Sequence, residues 1–175
     1  WEKAIGRPHA APIISNHGLV ICANEDDVYA FDATDGNQVW HYRFLATNGI
    51  YSNMALGGKY LYVTHHRGGL RALDPLTGEK VWSFPPDDDW DNPNRVDYGN
   101  IYTPVVVDHD ETLYGASYKY ILAIDGLTGA IKWKKPTQHI SGKNWGLQYT
   151  SPILTESNVV YYGFEIRGSD EELNR

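Results

Sequence analysis

The stretch Arg71 to Trp82 reads RALDPLTGEKVW, and it recurs twice without gaps, as YAFDATDGNQVW over 29–40 and LAIDGLTGAIKW over 122–133. Aligned, the three share A-x-D-x-x-[TD]-G-x-x-x-W, with columns Ala30/Ala72/Ala123, Asp32/Asp74/Asp125, Asp35/Thr77/Thr128, Gly36/Gly78/Gly129 and Trp40/Trp82/Trp133. Successive Trp residues lie 42 and 51 positions apart, and Trp1 stands 39 before Trp40, in the place of the last residue of an earlier copy. Self-similarity at this period is the mark of a repeat architecture. About twenty residues before each copy a second pattern occurs: Ala11-Pro12-Ile13-Ile14, Thr103-Pro104-Val105-Val106 and Ser151-Pro152-Ile153-Leu154, with Asn53-Met54-Ala55-Leu56 in the middle copy. Between the two patterns run Leu19 to Ala23, Tyr60 to Thr64, Thr112 to Ala116 and Val159 to Phe164, each alternating or apolar. Every unit thus reads as four short strands separated by turn signals about ten residues apart, and four strands in about 40 residues is the arithmetic of a propeller blade.

Each column has a physical reason. Glycine in Asp35-Gly36, Thr77-Gly78 and Thr128-Gly129 supplies the positive φ of a tight hairpin. Asp32, Asp74 and Asp125 end the third strand, where a short carboxylate accepts hydrogen bonds from the amides of its own turn. The Trp lies on the fourth strand, and burying an indole there is worth at most about 4–6 kcal/mol, which suits it to the space between blades.

At these residues the chain resembles the quinoprotein (pyrroloquinoline-quinone-like) β-propellers, whose tryptophan-docking motif has this form and covers the third and fourth strands of a blade. The resemblance implies an all-β fold of four-stranded antiparallel blades, either about four of them or an arc of a seven- or eight-bladed ring. The chain then reads as a single propeller segment over 1–175, with repeats at approximately 10–44, 52–84, 101–135 and 149–175, the last incomplete, and a loop insertion at 85–97. An open arc exposes apolar blade surface and sheet edge, so another chain or segment is expected to complete the propeller.

Composition narrows function. A net charge of −7 with no basic run excludes nucleic acid as a natural partner. No window has the length of apolar sequence that a membrane span needs. The single cysteine, Cys22, can form neither an internal disulfide nor a cysteine-rich zinc site, and its setting, Val20-Ile21-Cys22-Ala23, points to a small core residue. Relatives that carry a quinone have a vicinal Cys-Cys pair and a Glu, Asn and Asp set for Ca²⁺, and the pair is absent from this sequence.

The loop Asp87-Asp88-Asp89-Trp90-Asp91-Asn92-Pro93-Asn94 offers hard oxygen ligands without the spacing of an EF-hand. Asp87, Asp88, Asp89 and Asp91 are therefore the possible metal ligands, against the alternative of a solvated acidic loop. Trp90 and Trp145 lie outside the periodic column and are possible partner contacts. His65 and His66 are adjacent, and strand alternation sends them to opposite faces, which argues against a shared metal.

The reading that follows is a non-catalytic scaffold, similar to the β-propeller lipoprotein of outer-membrane protein assembly, which binds protein or peptide partners without a cofactor. The implied location is periplasmic, cell-surface or secreted. The alternative is an arc of a quinone-dependent alcohol or sugar dehydrogenase with pyrroloquinoline quinone and Ca²⁺. If the periodic Trp joins blades, Trp82→Ala lowers stability by about 3–5 kcal/mol, read as a lower melting temperature; an unchanged melt contradicts that role.

Overall fold

The computed structural model describes residues 1–8, 10–44, 54–65, 69–84, 101, 103–117, 120–136, 152–156 and 159–162. The loop insertion 85–97, with Asp87, Asp88, Asp89, Trp90 and Asp91, lies outside them, as do His66 and Trp145.

Each full repeat is one antiparallel sheet whose strands pair in chain order. Blade 1 is β1 (Ile13–Ile14), β2 (Leu19–Ala23), β3 (Asp27–Asp32) and β4 (Gln38–Arg43); blade 2 is β5 (Ala55–Leu56), β6 (Leu61–His65), β7 (Gly69–Leu73) and β8 (Lys80–Phe84). Blade 3 is β9 (Val106–Val107), β10 (Thr112–Ala116), β11 (Tyr120–Asp125) and β12 (Ile131–Pro136), and the hairpin β13 (Ile153–Leu154) and β14 (Val160–Tyr161) follows. There is no helix among the described residues. The fold is a β-propeller of four-stranded blades. The short first strands meet, β9 lying beside both β5 and β13. The last strands β4, β8 and β12 form the more exposed outer edge.

Blade 2 shows what stacking does to the alternation of a strand. Every residue of β6 and β7 is buried, because both faces of the sheet are covered. Leu61, Val63 and Leu73 join Ile21, Val28, Ala30 and Trp40 of blade 1 in one core. Tyr62, Leu70 and Ala72 join Leu113, Leu122 and Ile124 of blade 3 in the other. A sheet buried on both sides loses the inside-outside rhythm that marks a half-solvated strand.

The Trp reaches its neighbour through a β-bulge. In blade 1 Ala30 pairs with Trp40 but Phe31 pairs with Gln38, leaving Val39 as the extra residue. The same step leaves out Val81 in blade 2 and Lys132 in blade 3. One inserted residue reverses the side to which the rest of the strand points, so Trp40 shares the face of Ala30, toward blade 2. Its Nε1–H donates to Pro75 O at 3.0 Å. Trp82 does likewise to Gly126 O of blade 3 at 2.8 Å, and Trp1 to Ala33 O of blade 1 at 3.0 Å. In all three the acceptor is the residue after the motif Asp, and the indole lies across the motif glycine.

Gly36, Gly78 and Gly129 have φ of 73°, 73° and 76°. A Cβ on Gly78 would lie 2.6 Å from Trp40 Cε3, and one on Gly129 2.8 Å from Trp82 Cε3. Only glycine satisfies both the backbone and the indole there. Gly18 provides a matched comparison, with the same φ of 73° but no atom within 4 Å of a built Cβ. Gly18→Ala is expected to cost only the backbone term, about 1–2 kcal/mol, and Gly78→Ala about 2–4 kcal/mol, because the indole must also move. Chemical denaturation of the two variants measures the difference, and equal losses refute the docking account.

Candidate binding face at the propeller rims

Antiparallel connection divides the turns between two rims. One rim carries the β1–β2 and β3–β4 turns and their equivalents, including every motif Asp. The other carries the ends of β2 and the starts of β3, with their equivalents, and the last residues of β4, β8 and β12.

On the first rim the motif carboxylates are spent on their own turns. Asp32 Oδ1 accepts from the amides of Thr34 at 2.7 Å and Asp35 at 3.4 Å. Asp74 Oδ1 accepts from Leu76 at 2.8 Å and Thr77 at 3.1 Å. Asp125 Oδ1 accepts from the amides of Leu127 and Thr128 and from the Thr128 hydroxyl, each at 3.0 Å. The bond from Thr34 holds the Asp32 carboxyl below the ordinary carboxylate value. For Asp125 burial pulls upward, but bonds from Thr128 and Leu127 outweigh it and the net direction is again down. Asp108 behaves the same way, burial being outweighed by the Thr112 amide and the Tyr114 hydroxyl.

The second rim holds polar groups with a less local purpose. In blade 1, Asp27 Oδ1 lies 2.7 Å from His41 Nε2 and 4.0 Å from Arg43 Nε, and His41 stacks on Tyr29 with ring centroids 4.7 Å apart. Burial, reinforced by the Asp27 charge, raises the Tyr29 phenol. Asn24 organises the adjoining turn, its Oδ1 accepting from the amides of Asp26 and Asp27. Beside it a cleft of about 200 Å³ is lined by Gly6, Arg7 and residues Asn24 to Asp27.

In blade 2, His65 is the buried last residue of β6, stacked on Phe44 of blade 1 at 4.8 Å. The same ring lies 5.9 Å from the guanidinium of Arg71, which is 5% exposed. In blade 3 the buried Thr103 hydroxyl accepts from Ala116 N–H at 3.0 Å, and Lys134 Nζ sits 5.0 Å from the Tyr120 ring centroid. Phe84 and Ile101, which flank the connection carrying Asp87 to Trp90, are both on this rim and buried.

None of Asp27, His41 or Arg71 stands out in sequence, because what unites them is strand position on neighbouring blades. Asp27 opens β3 directly after a β2–β3 turn, whereas His41 and Arg71 lie within β4 and β7, so no sequence pattern groups them. Cys22 departs from the sequence expectation of a core residue: it is half-buried, and burial raises its thiol. It shares a blade 1 face with Val20, Tyr29 and Phe31, opposite the face that packs on blade 2. Among the described residues no group of three or more His, Cys, Asp or Glu side chains is arranged to hold a metal ion.

The family described as outer membrane protein assembly factor BamB matches residues 1–164. Among solved structures the chain is similar to BamB from Moraxella catarrhalis, with a TM-score of 0.62 at 20% identity over 90% of this chain and 47% of that one. It is also similar to quinohemoprotein alcohol dehydrogenase from Comamonas testosteroni, with a TM-score of 0.53 at 24% identity over 74% of this chain and 21% of that one. At such identities the likeness is one of fold. The chain spans about half the length of the first structure and about a fifth of the second. No curated protein matches it significantly.

The depressed carboxyls set a direction for acid stability. A group whose folded value lies below its unfolded value, about 3.9 for Asp, stabilises the fold above that value, and the contribution disappears as pH falls through the folded one. Melting temperature should therefore fall on acidification below about pH 4. Asp125→Ala should melt lower than the parent at pH 7 and show a shallower acid slope between about pH 4 and 2. Parallel slopes contradict the assignment.

Proposed function

The chain belongs to the PQQ-like β-propeller family described as outer membrane protein assembly factor BamB, and from that membership we propose that it is a non-catalytic scaffold binding protein or peptide partners outside the cytoplasm, in the periplasm. The observation that carries this reading is the division of labour between the rims. The repeated Asp, Gly and Trp are consumed in turns and blade docking, while Phe44, Phe84 and Ile101, next to the long connections in sequence, lie at the opposite rim, where loops on a rigid frame can present side chains to a partner. The cores between blades supply the rigidity.

The outward faces of the arc belong to the same proposal. Ile14 is 73% exposed on the blade 1 side and Trp133 41% exposed on the blade 3 side. Both occupy positions whose counterparts pack against a neighbouring blade elsewhere in the molecule. Further blades, from another segment or chain, would cover them and close the ring.

Fold likeness to a quinohemoprotein alcohol dehydrogenase keeps a second reading in view. Among the described residues nothing is assembled for a quinone and Ca²⁺: the carboxylates of the repeat are committed to their own turns, and the single cysteine cannot supply a vicinal pair.

A photoreactive residue at Arg43, 66% exposed on the second rim, should give adducts with outer-membrane assembly proteins in cells, whereas one at Leu76, 49% exposed on the Asp rim, should not. In the same cells the Cys22 peptide should resist alkylation until the protein is unfolded. Equal adducts from both rims refute the binding face, and rapid alkylation of native Cys22 refutes the covering blade.

A further inference from the structure

Among the described residues Glu111 is the one non-glycine with a positive φ, 57°. It takes in blade 3 the turn position that Gly18 holds in blade 1. Both amides donate to the residue three before, Ser15 O and Asp108 O, at 3.1 Å; both carbonyls accept from the residue after the motif Asp, Ala33 N–H at 2.8 Å and Gly126 N–H at 2.7 Å. A left-handed backbone is disfavoured for any residue with a Cβ, so some interaction must hold Glu111 where glycine would suffice.

That interaction crosses the seam to blade 2. Glu111 Oε1 accepts from the backbone amides of Gly58 and Lys59, the latter at 3.1 Å. Oε2 accepts from the Tyr62 hydroxyl at 2.5 Å. Tyr62 is fully buried, and burial together with the Glu111 carboxylate drives its phenol far above the ordinary value, which keeps the hydroxyl a donor.

Glycines make the room. A Cβ on Gly57 would lie 2.5 Å from Glu111 Oε2, and one on Gly126 would lie 2.5 Å from the Tyr62 hydroxyl oxygen. Gly126 also provides the carbonyl on which Trp82 docks, so the carboxylate and the indole act on the same turn. The seam between blades 1 and 2 has no such arrangement among the described residues: its turn residue is Pro75, which docks Trp40 but has no N–H to give.

We propose that Glu111 is an inter-blade latch, tying the β5–β6 turn and Tyr62 of blade 2 to the β9–β10 and β11–β12 turns of blade 3 so that the two blades move as one body. Charged acceptors of backbone amides make the stronger class of hydrogen bond, and three donors converging on one side chain from another blade leave it little freedom. The latch holds the two blades together at the Asp rim of this seam.

Glu111→Gly separates a latch from an ordinary turn by the sign of its effect. Glycine relieves the left-handed backbone, so at an ordinary turn the variant would melt at or above the parent. Loss of a latch lowers melting, by about 3 °C, and speeds hydrogen exchange of the Trp82 indole N–H by about tenfold, with the Trp40 indole of the other seam as internal control. Measured in the intact protein, Tyr62→Phe should give a smaller loss that is not additive with Glu111→Gly. A melting temperature that holds or rises, or Trp82 exchange equal to the parent, overturns the proposal, as does strict additivity of the two variants.

Discussion

The seat of one blade's indole on the glycine turn of the next is the contact on which the rest of this architecture depends. It requires a bulge in the last strand, to bring Trp40 and Trp82 to the forward face. A turn with positive φ at Gly78 and Gly129 is needed as well, so that nothing projects into the ring. The third requirement is an accessible carbonyl, which Pro75 and Gly126 provide. The motif Asp stabilises that turn from within. These features recur together because a change in any one of them unseats the indole.

Stacking by this device produces cores between sheets rather than inside them. Blade 2, between blades 1 and 3, has both faces of its inner strands buried, whereas blade 1 keeps half-exposed positions at Val20, Cys22 and Tyr29. The arrangement leaves two rims with different tasks. Side chains on the Asp rim are absorbed by turns and by the Glu111 bridge. The opposite rim gathers the Asp27 and His41 pair, the stack of Phe44 with His65 and Arg71, and the ends of the long connections. A rigid frame with its variable chemistry at one end is a form suited to holding partners.

Much of the fold was legible from twelve residues repeated three times, because each column of the motif answers to a local rule: glycine for positive φ, Asp for its own turn, alternating apolar residues for strands. Exposure was less legible. Trp40 is buried, Trp82 half-buried and Trp133 well exposed although the motif treats them alike, and Cys22, in an apolar strand, is only half-covered. Trp40 and Trp82 each dock on a turn of the following blade, and no such turn ahead of Trp133 lies among the described residues; a motif does not encode its neighbours. The candidate ligands Asp87, Asp88, Asp89 and Asp91 and the contacts Trp90 and Trp145 lie outside the described residues.

By itself the sequence determined the blade: four strands, their turns, and the indole that leaves the sheet. These depend on residues within about a dozen positions of one another, where backbone sterics and hydrogen bonding act directly. Only the tertiary structure decided which carbonyl receives each indole, that Glu111 reaches Tyr62 49 positions away, and that His65 and Arg71 share the ring of Phe44. Those contacts join side chains from different blades, and their geometry is set by how one sheet lies against the next.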